Sequence, residues 1–376
     1  MKKNDFSKNE LIDRLLSGKM TRRQYLQAIS AAGLSMAMVQ VPRRASAAVD
    51  QATYFTWGGY DDPEMFKPYI AKHGVPPNFS VFGDSEEGLT KMRAGFIVDV
   101  SHPCNASLPR WVATGLFQPI DPDKLSNWSD VIPTLTNLQG ANQDGKQFFA
   151  PMEWGQTSVT YRTDLFELQG EESWAMLWDE RYKGKLSMIG SAGDSFWCAS
   201  IFAGVPFEEA DTTENFKKVN DLLRKQRPLV RLYTNDLTTV EQALASGELV
   251  AGMTWNDSAV NLKGQGVPVK FADPKEGALT WVCGMVLHRD APHRDKAHDV
   301  IDSLLDPEVG AYIIDTSGYG HCNPKSFQRL PPERIAELGL TTNPSDMLNR
   351  GHFQISPTQE FETKINREFE EIMAGF

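Results

Sequence analysis

The sequence predicts an α/β protein in two lobes, each a mostly parallel sheet flanked by helices. Three observations lead there. Beyond an N-terminal leader, short β-rich runs alternate with amphipathic helical stretches, which is the pattern of a parallel sheet with helical crossovers. The alternation begins again in the middle of the chain. The roughly 330 residues beyond the leader also exceed one comfortable hydrophobic core, so two lobes are the default.

The first lobe opens with a strand at 53–57, rich in aromatic and β-branched residues and ended by Gly58-Gly59. Asp62-Pro63-Glu64 starts a helix, with proline at an early position and acid in the first turn. A strand at 78–82, a helix at 86–94, a strand at 98–100 and a helix at 108–114 closed by Gly115 follow. In a sheet built this way ligands sit at the carboxyl ends of the strands, where Trp57-Gly58-Gly59-Tyr60 and His102-Pro103-Cys104-Asn105 fall.

The middle of the chain gives a strand at 185–189, helices at 195–203 and 215–225, a strand at 229–233, a helix at 238–245 capped by Ser246-Gly247, and a strand at 250–255. A strand at 280–287, a helix at 295–305 ending before Asp306-Pro307, and a terminal amphipathic helix at 358–373 complete the reading. There is no internal repeat and no low-complexity segment.

The leader reads as a twin-arginine signal peptide over residues 1–47. Arg22-Arg23 precedes the uncharged run 28–41 and the small-residue stretch Ala45-Ser46-Ala47-Ala48. The run holds about 14 residues, short of the ~20 needed to span a bilayer, so cleavage is expected and no later segment spans either. Nine of the 38 Lys and Arg and three of the 49 Asp and Glu lie in the leader. The mature chain then carries 29 basic and 46 acidic residues, a net charge of −17. That balance argues against nucleic acid and anionic membranes as partners and suits a cationic ligand.

Cys104, Cys198, Cys283 and Cys322 are too few for a disulfide scaffold and fit no zinc spacing. Export allows them to oxidise, and sequence leaves all three full pairings open. The nucleotide, metalloprotease and hydrolase fingerprints are missing, and no cofactor is expected.

Seven ordered segments resemble a known family, the periplasmic spermidine/putrescine-binding proteins of ABC importers, within the type II periplasmic binding fold. They begin with Phe55-Thr56-Trp57-Gly58-Gly59-Tyr60, 119–125, and Met152-Glu153-Trp154-Gly155-Gln156-Thr157. The others are 173–178 with 182–184, 252–259, 274–277 with Trp281, and Gly318-Tyr319. The resemblance implies lobe 1 at 48–157 and 281–328, lobe 2 at 158–280 and 329–376, and two crossing strands near 156–160 and 278–282. It also implies a periplasmic, non-enzymatic protein that closes on its ligand and docks on a membrane permease.

By that resemblance Trp57, Tyr60, Trp255, Trp281 and Tyr319 are aromatic walls of the cleft, whereas Trp154, Trp174 and Trp178 read as core rings. Gln354 matches an amide that reaches the ligand. The family's carboxylates are mostly replaced: Gly59 and Cys283 stand where acids are expected, and of a middle acidic pair one position is Ser191 and the other Asp194. Cys104 and Ala106 replace a serine and a tyrosine. Asp194 therefore reads as the one anchoring charge, or as a helix N-cap before Ser195. Asp84, Glu86 and Glu153 read first as solvated loop charges. The expected ligand is a putrescine- or spermidine-like amine, or a shorter or monocationic one, held by cation–π contacts and charge pairing. The weighed alternatives are soft-metal binding by His102, Cys104, Cys283, His321 and Cys322, catalysis by a Cys104 nucleophile beside His102, and docking on a sensor receptor.

Overall fold

The structure is a computed structural model that describes residues 50–375. The expected signal peptide lies outside the described residues. Among the described residues fourteen strands run in chain order: β1 Thr53–Trp57, β2 Asn78–Phe82, β3 Val100–Ser101, β4 Phe117–Gln118, β5 Asn142–Gln143, β6 Lys146–Gln147 and β7 Ala150–Arg162. They continue with β8 Leu186–Ile189, β9 Val230–Thr234, β10 Ala251–Trp255, β11 Val269–Phe271, β12 Leu279–His288, β13 Gly320–His321 and β14 His352–Phe353.

One sheet carries the order β2-β1-β3-β12-β7-β10-β8-β9. Its outer parts are parallel: β1 pairs with β2 and β3, and β8 with β9 and β10. Helices at Lys67–His73 and Ser85–Arg93 connect the first set, and Ala192–Ala203, Thr213–Gln226 and Leu237–Ser246 the second. The centre is antiparallel. There β7 and β12 pair from Thr157↔Leu279 to Ala150↔Met285, and β7 pairs with β10 beyond that. Every residue of β12, and every residue of β7 before Arg162, is buried. Polar side chains such as Ser158 and Thr160 sit in β7 because they find partners, the Ala272 carbonyl at 2.9 Å and Thr254 Oγ1 at 2.7 Å.

Two main cores flank this centre. One gathers Tyr54, Phe55, Phe66, Trp111, Phe149 and Val286, and the other Trp174, Leu177, Met188, Phe196, Leu223 and Phe361. Both exclude water from large rings, worth roughly 1.5–3 kcal/mol per fully buried apolar side chain. Ile335, Leu338, Leu340 and Leu348 pack in the first core, whereas Phe361, Ile365 and Ile372 pack in the second. Along this stretch Phe353 still packs against the first core and Ile355 against the second.

Two local readings change. The helix at Ala192–Ala203 starts before Ser195, capped by Ser191, whose Oγ accepts from the Asp194 amide at 3.2 Å; Asp194 sits in the first turn and is not the cap. Asp306-Pro307 opens a further helix, Pro307–Ser317, with Asp306 accepting from the Glu308 amide at 2.8 Å. Long β7 was placed by resemblance alone, because a strand buried on both faces shows no alternation.

Candidate ligand-binding cleft

A cleft of about 1380 Å³ opens beside the central strands. All nine sequence-predicted positions line it: Trp57, Tyr60, Cys104, Asp194, Trp255, Trp281, Cys283, Tyr319 and Gln354. They arrive from separate places. Trp57 ends β1, Trp255 ends β10, Trp281 and Cys283 lie on β12, Tyr319 follows the helix Pro307–Ser317, and Gln354 follows β14.

The aromatic wall is built by close approach. Trp281 fits over β7 because residue 155 is glycine: a Cβ there would stand 2.1 Å from the Trp281 ring. Trp281 meets Tyr319 edge-to-face at 4.8 Å and Trp255 at 6.4 Å between centroids. Trp255 is 37% exposed and presents ring surface to the opening. The Trp57 indole N–H donates to the His102 carbonyl at 2.8 Å and its ring packs edge-on against Phe82. Gly59 has φ +95°, a backbone that an acid would adopt only with strain, so the turn itself requires the glycine that replaces the expected carboxylate. Trp154 and Trp174 are fully buried, with their N–H groups donated to the His321 and Gly277 carbonyls.

Cys104 and Cys283 form a disulfide, with Cα atoms 3.9 Å apart across an isolated bridge between the two backbones. Neither sulfur is a thiol there, which removes the nucleophile and thiol-ligand readings: a disulfide sulfur carries no thiolate to attack with or to hold a metal. Cys198 and Cys322 are buried and free. His321 is buried, holding the Leu304 carbonyl and Ser326, and burial pushes its pKa down to about 4. His102 is likewise buried and neutral, held to Thr56 Oγ1 at 2.9 Å with its pKa pushed down to about 3. Neither histidine lines the cleft. No group of three or more His, Cys, Asp or Glu placed to hold a metal ion occurs among the described residues.

The acids rearrange the expected charges. Asp84 caps the helix Ser85–Arg93 through the Glu87 amide at 2.8 Å, and Glu86 pairs with Arg110 at 3.0 Å. Glu153 is no loop charge: it lies within β7, 1% exposed, and lines the cleft. The Tyr60 hydroxyl donates to its Oε1, and its Oε2 has no partner. Burial, above all, pushes its pKa up to about 8, with the Asp257 charge adding to the rise. Asp257 also lines the cleft, near Tyr319, its pKa raised chiefly by burial. Asp194 accepts from Gln354 Nε2 at 2.7 Å and is shifted upward by burial. Three largely desolvated carboxylates, Glu153, Asp194 and Asp257, therefore line the cavity where one was expected, beside Asp62, Asp84, Glu86 and Glu362. Asp257 was missed although it follows Trp255 by two residues, at the first turn of the helix Asn256–Gly264. Trp197, also missed, lines the cleft from the middle of an apolar helix whose pattern reads only as core.

The profile of the bacterial extracellular solute-binding protein family matches residues 64–339. The chain belongs to that family. Among curated relatives, the putrescine/agmatine-binding protein of Pseudomonas aeruginosa is 28% identical over 333 residues, 83% of this chain and 88% of the relative. The putrescine-binding periplasmic protein PotF of Escherichia coli is 30% identical over 287 residues, 72% of this chain and 77% of that one. Among solved structures, a spermidine/putrescine ABC transporter substrate-binding protein from Streptococcus pneumoniae superposes with a TM-score of 0.76 at 19% identity. It covers 86% of this chain and 98% of its own length. The fold of this solute-binding protein is thus the type II periplasmic binding fold. No helix among the described residues is long and apolar enough to cross a membrane.

Proposed function

We propose that this solute-binding protein serves an ABC importer in the periplasm, capturing a small cationic amine of the putrescine class and presenting it to a membrane permease. The observation that carries the reading is the joining of five aromatic side chains with three partly desolvated carboxylates in one cleft. Rings cover methylenes and attract ammonium groups at ~0.5–2 kcal/mol per contact. Carboxylates removed from water gain most from a cation that restores their charge pairing. The names of the putrescine- and agmatine-binding relatives support the same ligand class. With Glu153 and Asp257 beside Asp194, a dication with both ends paired fits the charges better than a monocation.

In this reading the ligand draws two lobes together, the first built on residues 48–157 and 281 to about 350, the second on 158–280 and the terminal helix, about the strands β7 and β12. The protein binds and releases its cargo unchanged, without catalysis. Export runs through the twin-arginine translocase. Arg22→Lys with Arg23→Lys then traps precursor in the cytoplasm, since the pair is read by a receptor and not as plain charge; a normal periplasmic yield of that double variant refutes the route.

Thermal-shift screening of residues 48–376 tests the ligand class. Putrescine and agmatine are expected to raise the melting temperature by mass action on the native state, with neutral sugars inert. A shift with sugars or carboxylates and none with amines would overturn the assignment.

A further inference from the structure

Glu153 occupies a position with an unusual combination of properties. It lies near the start of the long buried strand β7, paired in register with Cys283 on one side and His321 on the other, yet its side chain reaches the cleft. One oxygen is held by the Tyr60 hydroxyl and the other is buried without a partner. The neighbourhood supplies no cation. His102 Nε2 stands 4.0 Å from Oε1 but is neutral, and His321 is neutral and bonded elsewhere. Tyr54, Tyr60, Tyr319 and Cys322 are all held in their protonated forms by burial, and Asp257 adds negative charge. Arg110, which also lines the cleft, is engaged by Glu86 and Glu362. Leaving a buried carboxylate oxygen unpaired is costly unless something else completes it.

We propose that Glu153 is the specificity-determining counter-ion of this cleft, seating one primary ammonium of the ligand at its unpartnered oxygen while Tyr60 positions the carboxyl. This rests on the amine-binding reading above and deepens it. By the family resemblance an acid is expected at residue 283, and the disulfide has taken its place. Glu153 thus restores from β7 a negative charge that β12 has lost. The proton balance follows. In the empty cleft near neutral pH the carboxyl is largely protonated, its pKa standing at about 8. An arriving ammonium favours the carboxylate, so the carboxyl proton leaves to solvent as the ion pair forms. Affinity must then rise with pH and level off above about 8.

Calorimetry with putrescine in two buffers of different ionisation enthalpy tests this on residues 48–376. The expected result at pH 7 is release of most of one proton per ligand bound, and affinity that climbs roughly fifty-fold between pH 6 and 8. Glu153→Gln, nearly isosteric, is expected to weaken putrescine at least tenfold and to abolish the proton release attributable to this site. Tyr60→Phe removes the bond that favours the carboxylate, so its loss of affinity at pH 7 should be recovered at higher pH, which a merely structural role would not give. Should Glu153→Gln fail to fold, the proton release of the unaltered protein still decides. Putrescine binding with no proton release, or unchanged by Glu153→Gln, overturns the role of Glu153 and leaves the amine reading standing. Failure of every amine to bind overturns the amine reading itself.

Discussion

At the residue scale the site depends on side chains that owe their positions to neighbours. Trp281 keeps its indole N–H unpartnered and lies against Gly155, and Trp255 stands edge-on to it with much of its ring open. Truncating either wall, as Trp255→Ala or Trp281→Ala, should cost on the order of 1–2 kcal/mol, about tenfold in putrescine affinity. Titration of the two variants checks this, and affinities within twofold of the parent would remove the rings from the site. A Cβ at residue 155 collides with the Trp281 ring, so Gly155→Ala should weaken the ligand through displacement of that ring and lower the melting temperature as well.

Glu153 gives a stability signature of its own. Its carboxyl pKa is raised in the folded chain, so between the unfolded value near 4.3 and about 8 the native state binds more protons than the unfolded one. The sign is that Glu153 makes stability fall as pH rises through this window. Melting curves of ligand-free protein at pH 5 and pH 8.5 should show that fall, made shallower by Glu153→Gln; an unchanged slope in the variant would place the titration elsewhere. Trp57 and Trp255 were legible in the sequence because a tryptophan at a strand end before glycine or polar residues marks a sheet's carboxyl edge, whereas Tyr60, Trp281 and Tyr319 were reached through the family likeness. Glu153 was not legible, since nothing in Met152-Glu153-Trp154 distinguishes an acid inside a doubly buried strand from one in a loop.

At the element scale, the loop after β3 is fastened to β12 by the Cys104–Cys283 disulfide, which closes 179 residues of chain. The backbone bridge at the same point and the Asn105 side chain, accepting from the Val282 amide at 3.0 Å and donating to the Gln354 carbonyl at 2.7 Å, make one junction of three segments. Removing the crosslink as Cys104→Ser with Cys283→Ser should cost about 2–4 kcal/mol, read as a lower melting temperature that added reductant no longer changes. The pairing was hidden from sequence because four cysteines admit three arrangements and only the register of the folded strands selects one. The helix Pro307–Ser317 was within reach: its Asp306-Pro307-Glu308 start repeats the Asp62-Pro63-Glu64 signal that was read correctly as a helix start. It brings Tyr312, whose hydroxyl donates to Asp62 at 2.6 Å, to the edge of the cleft. The outer parallel strands were legible from their β-rich runs, and the antiparallel centre became so only through the family likeness.

At the scale of the whole molecule, the cleft is closed at one edge by charge. Arg110 pairs with Glu86 at 3.0 Å from the first core's side and with Glu362 at 2.7 Å on the terminal helix packed in the second. Partly exposed pairs of this kind contribute little to stability, typically under about 1 kcal/mol, so Arg110→Ala should leave the melting temperature nearly unchanged. If the pair joins lobes that move, the variant should instead speed ligand release a few-fold, which stopped-flow dissociation measures; unaltered release rates would make it an ordinary surface pair. The acidic net charge, the aromatic cleft and the buried carboxylates all point to a cation as cargo. The most direct measurement is a calorimetric titration of residues 48–376 with putrescine beside the uncharged diol of the same chain length. The account predicts one putrescine per chain and no detectable diol binding. Equal binding of the diol, or no heat from putrescine, agmatine or spermidine, would contradict it.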